Sequence, residues 1–241
     1  LNEQKRIAAI LDKADSLRRK RQQAIQLADQ FLRSVFLDLF GDPVTNPKGW
    51  EVKPLKEIVS IKGGGTPSKA KPEYWLEGTI PWVSPKDMKS DYIGSSIDYI
   101  TENAILKSST RIIVEGSVLM VVRSGVLKHS LPLAISTRPL TINQDLKALT
   151  VNSEINNHFL FFFLKACKQH LLSTVRGTTA DNLSSDVINN LNVFIPPKDK
   201  QDYFSQLAIK FQKFDGDIKL TSGDINELFN CLSQKAFAGE L

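Results

Sequence analysis

The sequence predicts an α+β protein: a mainly β globular domain flanked by two long helices that pair as a coiled-coil-like rod. Three observations carry this reading. Apolar or small side chains recur at helical spacing from Leu1 to Phe40, the same stripe returns at the end of the chain, and short β-rich runs broken by Gly, Pro and Asn fill the middle.

The first helix is assigned to 1–43. Ile7, Ile10, Ala14, Leu17, Ala24, Ala28, Phe31 and Val35 alternate in steps of three and four, with a break at Arg21. That is a heptad stripe. No Pro or Gly interrupts it before Gly41-Asp42-Pro43 stops it, so the segment spans roughly 55 Å. Sliding the sequence along itself until Phe40 falls on Phe237 brings the stripe onto Phe204, Leu207, Phe211, Phe214, Ile218, Thr221, Ile225, Leu228 and Leu232. Gln4 then meets Gln201, and Lys13 meets Lys210. One helix is written twice, and 198–241 is its second copy. The first copy is small where the second is large, Ala14 against Phe211 and Ala28 against Ile225, which suits close packing of a helix pair.

The globular domain is expected over 44–197. Val52 to Ile61 alternates as a strand interrupted by Pro54, and a Gly-rich loop follows from Lys62 to Lys71. Strands are predicted at Ile80–Val83, Ser96–Ile100, Arg111–Val114, Ser117–Val122, Leu131–Ile135 and Leu146–Val151. Asn152 or Ser153 can cap a helix from Glu154 to Leu172, and Ser184 a short one through Leu191. Val193-Phe194-Ile195 makes the last strand before Pro196-Pro197 breaks into the second long helix.

With 241 residues, 41% of them hydrophobic, the chain can bury a proper core. No apolar run is long enough for a membrane span, no signal peptide is visible, and a cytoplasmic setting is expected. The chain holds 2 Cys, far apart and outside any CxxC, and 3 His, so neither a disulfide framework nor a metal site is indicated. A net charge of +5 points modestly toward a polyanion partner. Catalytic motifs are missing: there is no GxxxxGK[ST] phosphate loop, Ile195-Pro196-Pro197-Lys198 is not an amino-methyltransferase motif, and Asp145-Leu146-Lys147 and Glu51-Val52-Lys53 are isolated pairs that suit ordinary strands. No cofactor is expected.

What remains is a set of donor-rich loops. Lys62, Thr66, Ser68, Lys69 and Lys71 surround the Gly-rich turn, where flexible backbone can approach a phosphate. Lys86 and Lys89 follow the Trp82 strand; Arg123, Ser124 and Lys128 leave the Val118 strand; Arg176, Thr178, Thr179 and Asn182 leave the inner helix. These residue types touch phosphates and read base edges. Each loop alone fits a solvated surface; together they favour binding.

The chain also resembles a known family, the specificity (S) subunits of type I restriction-modification enzymes. The resemblance rests on Leu1 to Asp12, on Phe31-Leu32-Arg33-Ser34-Val35-Phe36 running into Phe40-Gly41, on Gly49-Trp50, on Gly64-Gly65-Thr66-Pro67-Ser68, and on Ile80-Pro81-Trp82-Val83-Ser84 with Asp87. It continues through Ile142-Asn143-Gln144-Asp145, Arg176-Gly177-Thr178, Leu183-Ser184, Pro196-Pro197 and the closing Gln234 to Leu241. Such subunits carry two target recognition domains alternating with two long helices, whereas this chain has one. The resemblance therefore implies a half-size subunit or the carboxy-terminal half of a longer one. It implies a non-catalytic reader of double-stranded DNA that recognises half of a bipartite site and docks methyltransferase (M) and restriction (R) subunits. A half-size chain would leave apolar heptad faces uncovered, so a homodimer through the long helices is expected in that case. The alternative from another class is a coiled-coil adaptor whose middle domain binds protein.

Overall fold

The computed structural model describes residues 2–175, 182–213 and 234. The first helix, α1, runs unbroken over Asn2–Phe40. It ends as expected at Gly41, whose φ of +86° suits a residue without a Cβ and whose N–H returns to Leu37 O at 2.8 Å. The second long helix is described over 198–213. Phe214 to Leu232 and Phe237, on which the repeat also rests, lie outside the described residues.

The chain separates into two compact units, Leu1–Val35 with Gln206–Leu241, and Phe36–Ser205. In the first, the half-buried positions include Ile7, Ala14, Arg21, Ala28 and Val35, so Arg21 continues the stripe that it was expected to break. Ile10, Leu17 and Phe31 are 41%, 44% and 48% exposed, while Leu32 is buried. The covered line thus lies one position around the helix from part of the expected one. The Phe31 and Phe211 rings are 5.3 Å apart, so the packing partner of Phe211 is Phe31 and not Ala14, its counterpart in the slide. A sliding alignment pairs equivalent positions of two copies, and these need not be the positions that pack.

In the second unit, β2 (Val59–Gly63), β9 (Leu146–Val151), β6 (Val118–Val121), β7 (Leu133–Ser136) and β4 (Tyr92–Ile93) form a sheet in that order. A smaller sheet has the order β5 (Asp98–Ile100), β3 (Ile80–Val83), β8 (Thr141–Ile142), and β1 (Glu51–Pro54) pairs antiparallel with β10 (Asn192–Ile195). The expected Val52–Ile61 strand is divided. Pro54 ends β1, and Leu55–Ile58 forms a helical turn, α2, that buries Leu55 and Ile58 three residues apart. The expected strand at Arg111–Val114 is only a bridge between Ile113 and Leu140. A short helix, α3 (Glu102–Lys107), capped by the Thr101 hydroxyl, stands where none was predicted.

The single inner helix expected from Glu154 to Leu172 is two: α4 (Asn157–Ala166) and α5 (Lys168–Val175), separated at Cys167. Asn152 does not cap it. Its carbonyl oxygen Oδ1 accepts from Glu154 N at 2.9 Å in a tight turn, and the Glu154 carboxylate pairs with Lys53. Helix therefore begins after Asn156. The later short helix, α6 (Ser185–Asn189), does have the expected cap, with Val187 N donating to Ser184 Oγ at 3.2 Å.

Residues 158–164 of α4 are all buried, which accounts for its apolar faces on every side. One side covers the large sheet. On the other, Phe159 packs with Phe36, Phe40 and Phe194, and Phe162 with Phe36 and Phe204, at centroid separations of 5.0–6.4 Å. Burial of each such ring contributes about 2 kcal/mol. Gln201, the counterpart of Gln4, is fully buried, and its amide donates to Glu154 O and Pro196 O while accepting from Asn156 N. Among the described residues, no helix is long and apolar enough to cross a membrane.

Candidate nucleic-acid interface

Strand register gathers the loops. β3 and β8 run parallel with Val83 beside Ile142, so both chains leave the small sheet side by side, and Asn143 N donates to Val83 O at 2.9 Å. β6 is antiparallel to β9 with Val121 opposite Leu146, which sets the end of β6 against the start of β9. β2 is antiparallel to β9 on its other edge, with Gly63 opposite Lys147. The ends of β2, β3 and β6 therefore converge on the segment Asn143-Gln144-Asp145. Leu183 N donates to Val122 O at 2.8 Å, and Arg123 bridges to Asn182, which returns the chain to the same place.

The Gly-rich loop is packed. A Cβ at Gly64 would lie 2.1 Å from Ile142 O and 2.2 Å from Asn143 O. Gly65 N donates to Ile142 O at 3.0 Å, and Gly65 O accepts from Trp82 Nε1 at 2.9 Å and from the Thr110 hydroxyl at 3.0 Å. Glycine is needed at 64 because two backbones touch there, and the Gly65 amide is already engaged within the protein. The expectation of flexible backbone open to a phosphate does not describe this stretch.

Thr66, half-buried, donates its hydroxyl to Gln144 Oε1. Lys62, Ser68, Lys69, Lys71, Lys86, Lys89, Arg123 and Lys128 are exposed. Lys71 is partly committed: its Nζ is 3.3 Å from the Tyr74 hydroxyl and 5.1 Å above the ring. Ser124 accepts from Val126 N and caps the turn Gly125–Lys128. The turn carrying Lys86 and Lys89 is braced by Asp87, whose Oδ2 accepts from Ser84 N at 2.8 Å and whose Oδ1 accepts from Ile97 N at 2.8 Å. Lys62, Thr66, Lys86, Arg123 and Asn182 thus sit on segments that adjoin 143–145. Lys69 and Lys71 belong to the outer part of the Gly-rich loop, which leans on Trp75 where Nε1 donates to Ser68 O at 3.1 Å. Arg176, Thr178 and Thr179 lie outside the described residues.

The candidate binding residues include Thr66 and Arg123 but not Asn143, Gln144 or Asp145, which the sequence brings forward only through the family resemblance and as an isolated carboxylate. Asp145 was read as part of an ordinary strand, yet it precedes β9 and takes Arg123 Nε on Oδ1 at 2.7 Å and Asn143 Nδ2 on Oδ2 at 2.9 Å. Gln144, between them, is exposed. The run Ile142 to Asp145 was the available signal. Among the described residues, no group of three or more His, Cys, Asp or Glu side chains could hold a metal ion.

A long helix joined to a sheet domain whose strand-end loops gather cations and amides is the arrangement of a recognition module. The chain belongs to the family described as type I restriction modification DNA specificity domain, which matches residues 47–230. It is 34% identical over 219 residues to the type I restriction enzyme EcoR124I/EcoR124II specificity subunit of Escherichia coli, a match covering 89% of this chain and 53% of that protein. Identity to the MjaIX specificity subunit of Methanocaldococcus jannaschii is 29%, over 68% of this chain and 38% of that one. The fold matches the crystal structure of the type I restriction-modification S subunit from M. genitalium at a TM-score of 0.67 and 16% identity, covering 98% of this chain and 60% of that chain. The chain spans about half the length of the relatives it matches.

Proposed function

We propose that the chain is a sequence-specific DNA-binding subunit that reads one half of a bipartite target in duplex DNA, without catalysing a reaction itself. The observation that carries this is the convergence of the basic and amide-bearing loops on 143–145, in a chain that belongs to the specificity-domain family. The functional partition is 1–43 and 198–241 as helices, with 44–197 as the target recognition domain. The helices hold readers at a fixed separation and dock methyltransferase and restriction subunits, in the cytoplasm. Half-site spacing then follows from the length of the rod. Duplex binding that weakens steeply with salt, together with enrichment of one short sequence from a randomised library, is the expected result; salt-insensitive binding without enrichment would contradict it.

The same reading includes a two-fold dimer. Ile10, Leu17, Leu27 and Phe31 leave 41%, 44%, 56% and 48% of their surface exposed along α1, an apolar face that a second copy would cover. Light scattering should give twice the chain mass at tens of micromolar, and a monomer there counts against it. The purified chain should neither cleave nor methylate DNA with magnesium, ATP and S-adenosylmethionine; turnover that copurifies with it and disappears on Asp145→Ala would refute the non-catalytic assignment.

A further inference from the structure

We propose that Asp145 is a positioning residue that aims the Arg123 guanidinium at a guanine of the target, an inference that rests on the DNA-reading function above. A carboxylate among loops meant for a polyanion opposes binding unless it has another task. Here that task is visible. Asp145 Oδ1 accepts from Arg123 Nε at 2.7 Å, Oδ2 accepts from Asn143 Nδ2 at 2.9 Å, and Asp145 N donates to Asn143 Oδ1 at 3.0 Å. The Asp145 carbonyl also accepts from Val122 N at 2.8 Å and Arg123 N at 3.2 Å, so backbone and side chain of Arg123 are fixed from one residue. Asn143 is itself only 6% exposed and anchored to β3, which makes the mount rigid.

The carboxylate takes the Nε–H of Arg123, whose side chain is 57% exposed. Its terminal amino groups are the pair whose fork matches O6 and N7 of guanine in the major groove. Fixing a long side chain before contact removes the ordering penalty that a free arginine would meet on binding. Pairing with Asp145 also offsets the arginine's charge, so its contribution lies in geometry more than in attraction to phosphate. An amide at 145 has one acceptor oxygen and cannot serve both Arg123 and Asn143.

The test is enrichment from a randomised duplex library with the full chain, comparing wild type, Arg123→Ala, Arg123→Lys, Asp145→Asn and the double variant Arg123→Ala/Asp145→Asn. Arg123→Ala should lose about 10-fold of the preference at one guanine position. Asp145→Asn should lose preference at that same position while its non-specific affinity rises, because a negative charge has gone. The double variant should be no worse there than Arg123→Ala. Arg123→Lys keeps the charge and can still pair with Asp145 but lacks the fork, so it should lose the position and melt like wild type; this holds the question open to refutation even where Asp145→Asn fails to fold. Full preference in Asp145→Asn or Arg123→Lys overturns the proposal, as does a loss spread over every position or centred on a different base from that of Arg123→Ala. A wild-type chain that enriches no sequence overturns the DNA-reading function instead, and this inference with it.

Discussion

Lys69 and Arg123 are both exposed cations on loops of one domain, and they are held in opposite ways. Among the described residues the Lys69 side chain makes no hydrogen bond or ion pair, and the same is true of Lys86. Arg123 is tied through Asp145 to Asn143, on a segment that touches the Gly-rich loop backbone to backbone. A mobile ammonium can follow a phosphate wherever it lies and gains affinity without regard to sequence. A guanidinium fixed in advance can reward only the base that fits it. On the function proposed above, the contrast separates a rim that would hold any duplex from a centre that would choose one.

The largest effect should come from breaking the centre. Gly64→Ala drives a Cβ into the Ile142 and Asn143 carbonyls, and we expect a loss of about 3 kcal/mol in urea unfolding together with loss of sequence preference. Gly63→Ala is the matching control. Its new Cβ would meet only Lys147 Nζ, at 3.4 Å, and unfolding should be unchanged. Equal destabilisation by both would show that the contact at 64 is not what holds the loops together.

A smaller effect sharpens the other side of the contrast. Lys69→Ala and Lys86→Ala should weaken all duplexes alike, each lowering the salt slope by about 1, with sequence preference and melting temperature preserved. A change of preference in either variant would move that lysine from the rim to the centre.

The smallest effect concerns the platform beneath both. His158 in α4 is 8% exposed, its Nε2 has no hydrogen-bond partner among the described residues, and burial holds the imidazole below its ordinary value near 6.5. Below that pH the unfolded chain takes up a proton that the folded chain resists. Stability should therefore fall as pH drops through 6.5 and level off once the folded imidazole also protonates. His158→Gln should flatten that part of a urea-unfolding series between pH 5 and 7.5, and an unchanged pH profile would assign the loss to another group.

How much of this was legible in the sequence depends on the range of the interaction concerned. Ile80–Val83 and Leu146–Val151 were readable because β-branched and aromatic runs announce a strand locally. Tyr92–Ile93 and Thr141–Ile142 were not, because each is a two-residue strand defined by a distant parallel partner. Leu55 and Ile58 fit a turn of helix as well as a strand interior, and only tertiary context decided between them. At the proposed interface, the lysines and Arg123 are candidates by residue type alone. The partner of Arg123 could not be chosen that way, since Asp145 is 22 residues away and is placed by the register of β6 against β9.

The contact between Gly64 and Ile142 also bears on redesign. Loops that protrude separately can be transplanted one at a time, but 63–66 and 142–145 are moulded to each other through main chain, so a graft of either alone would arrive without its counterpart. Exchanging this surface would require both segments to travel as a linked pair, with Arg123 in tow, and the turn around Lys86 would have to keep its match to Ile97, whose N–H Asp87 holds.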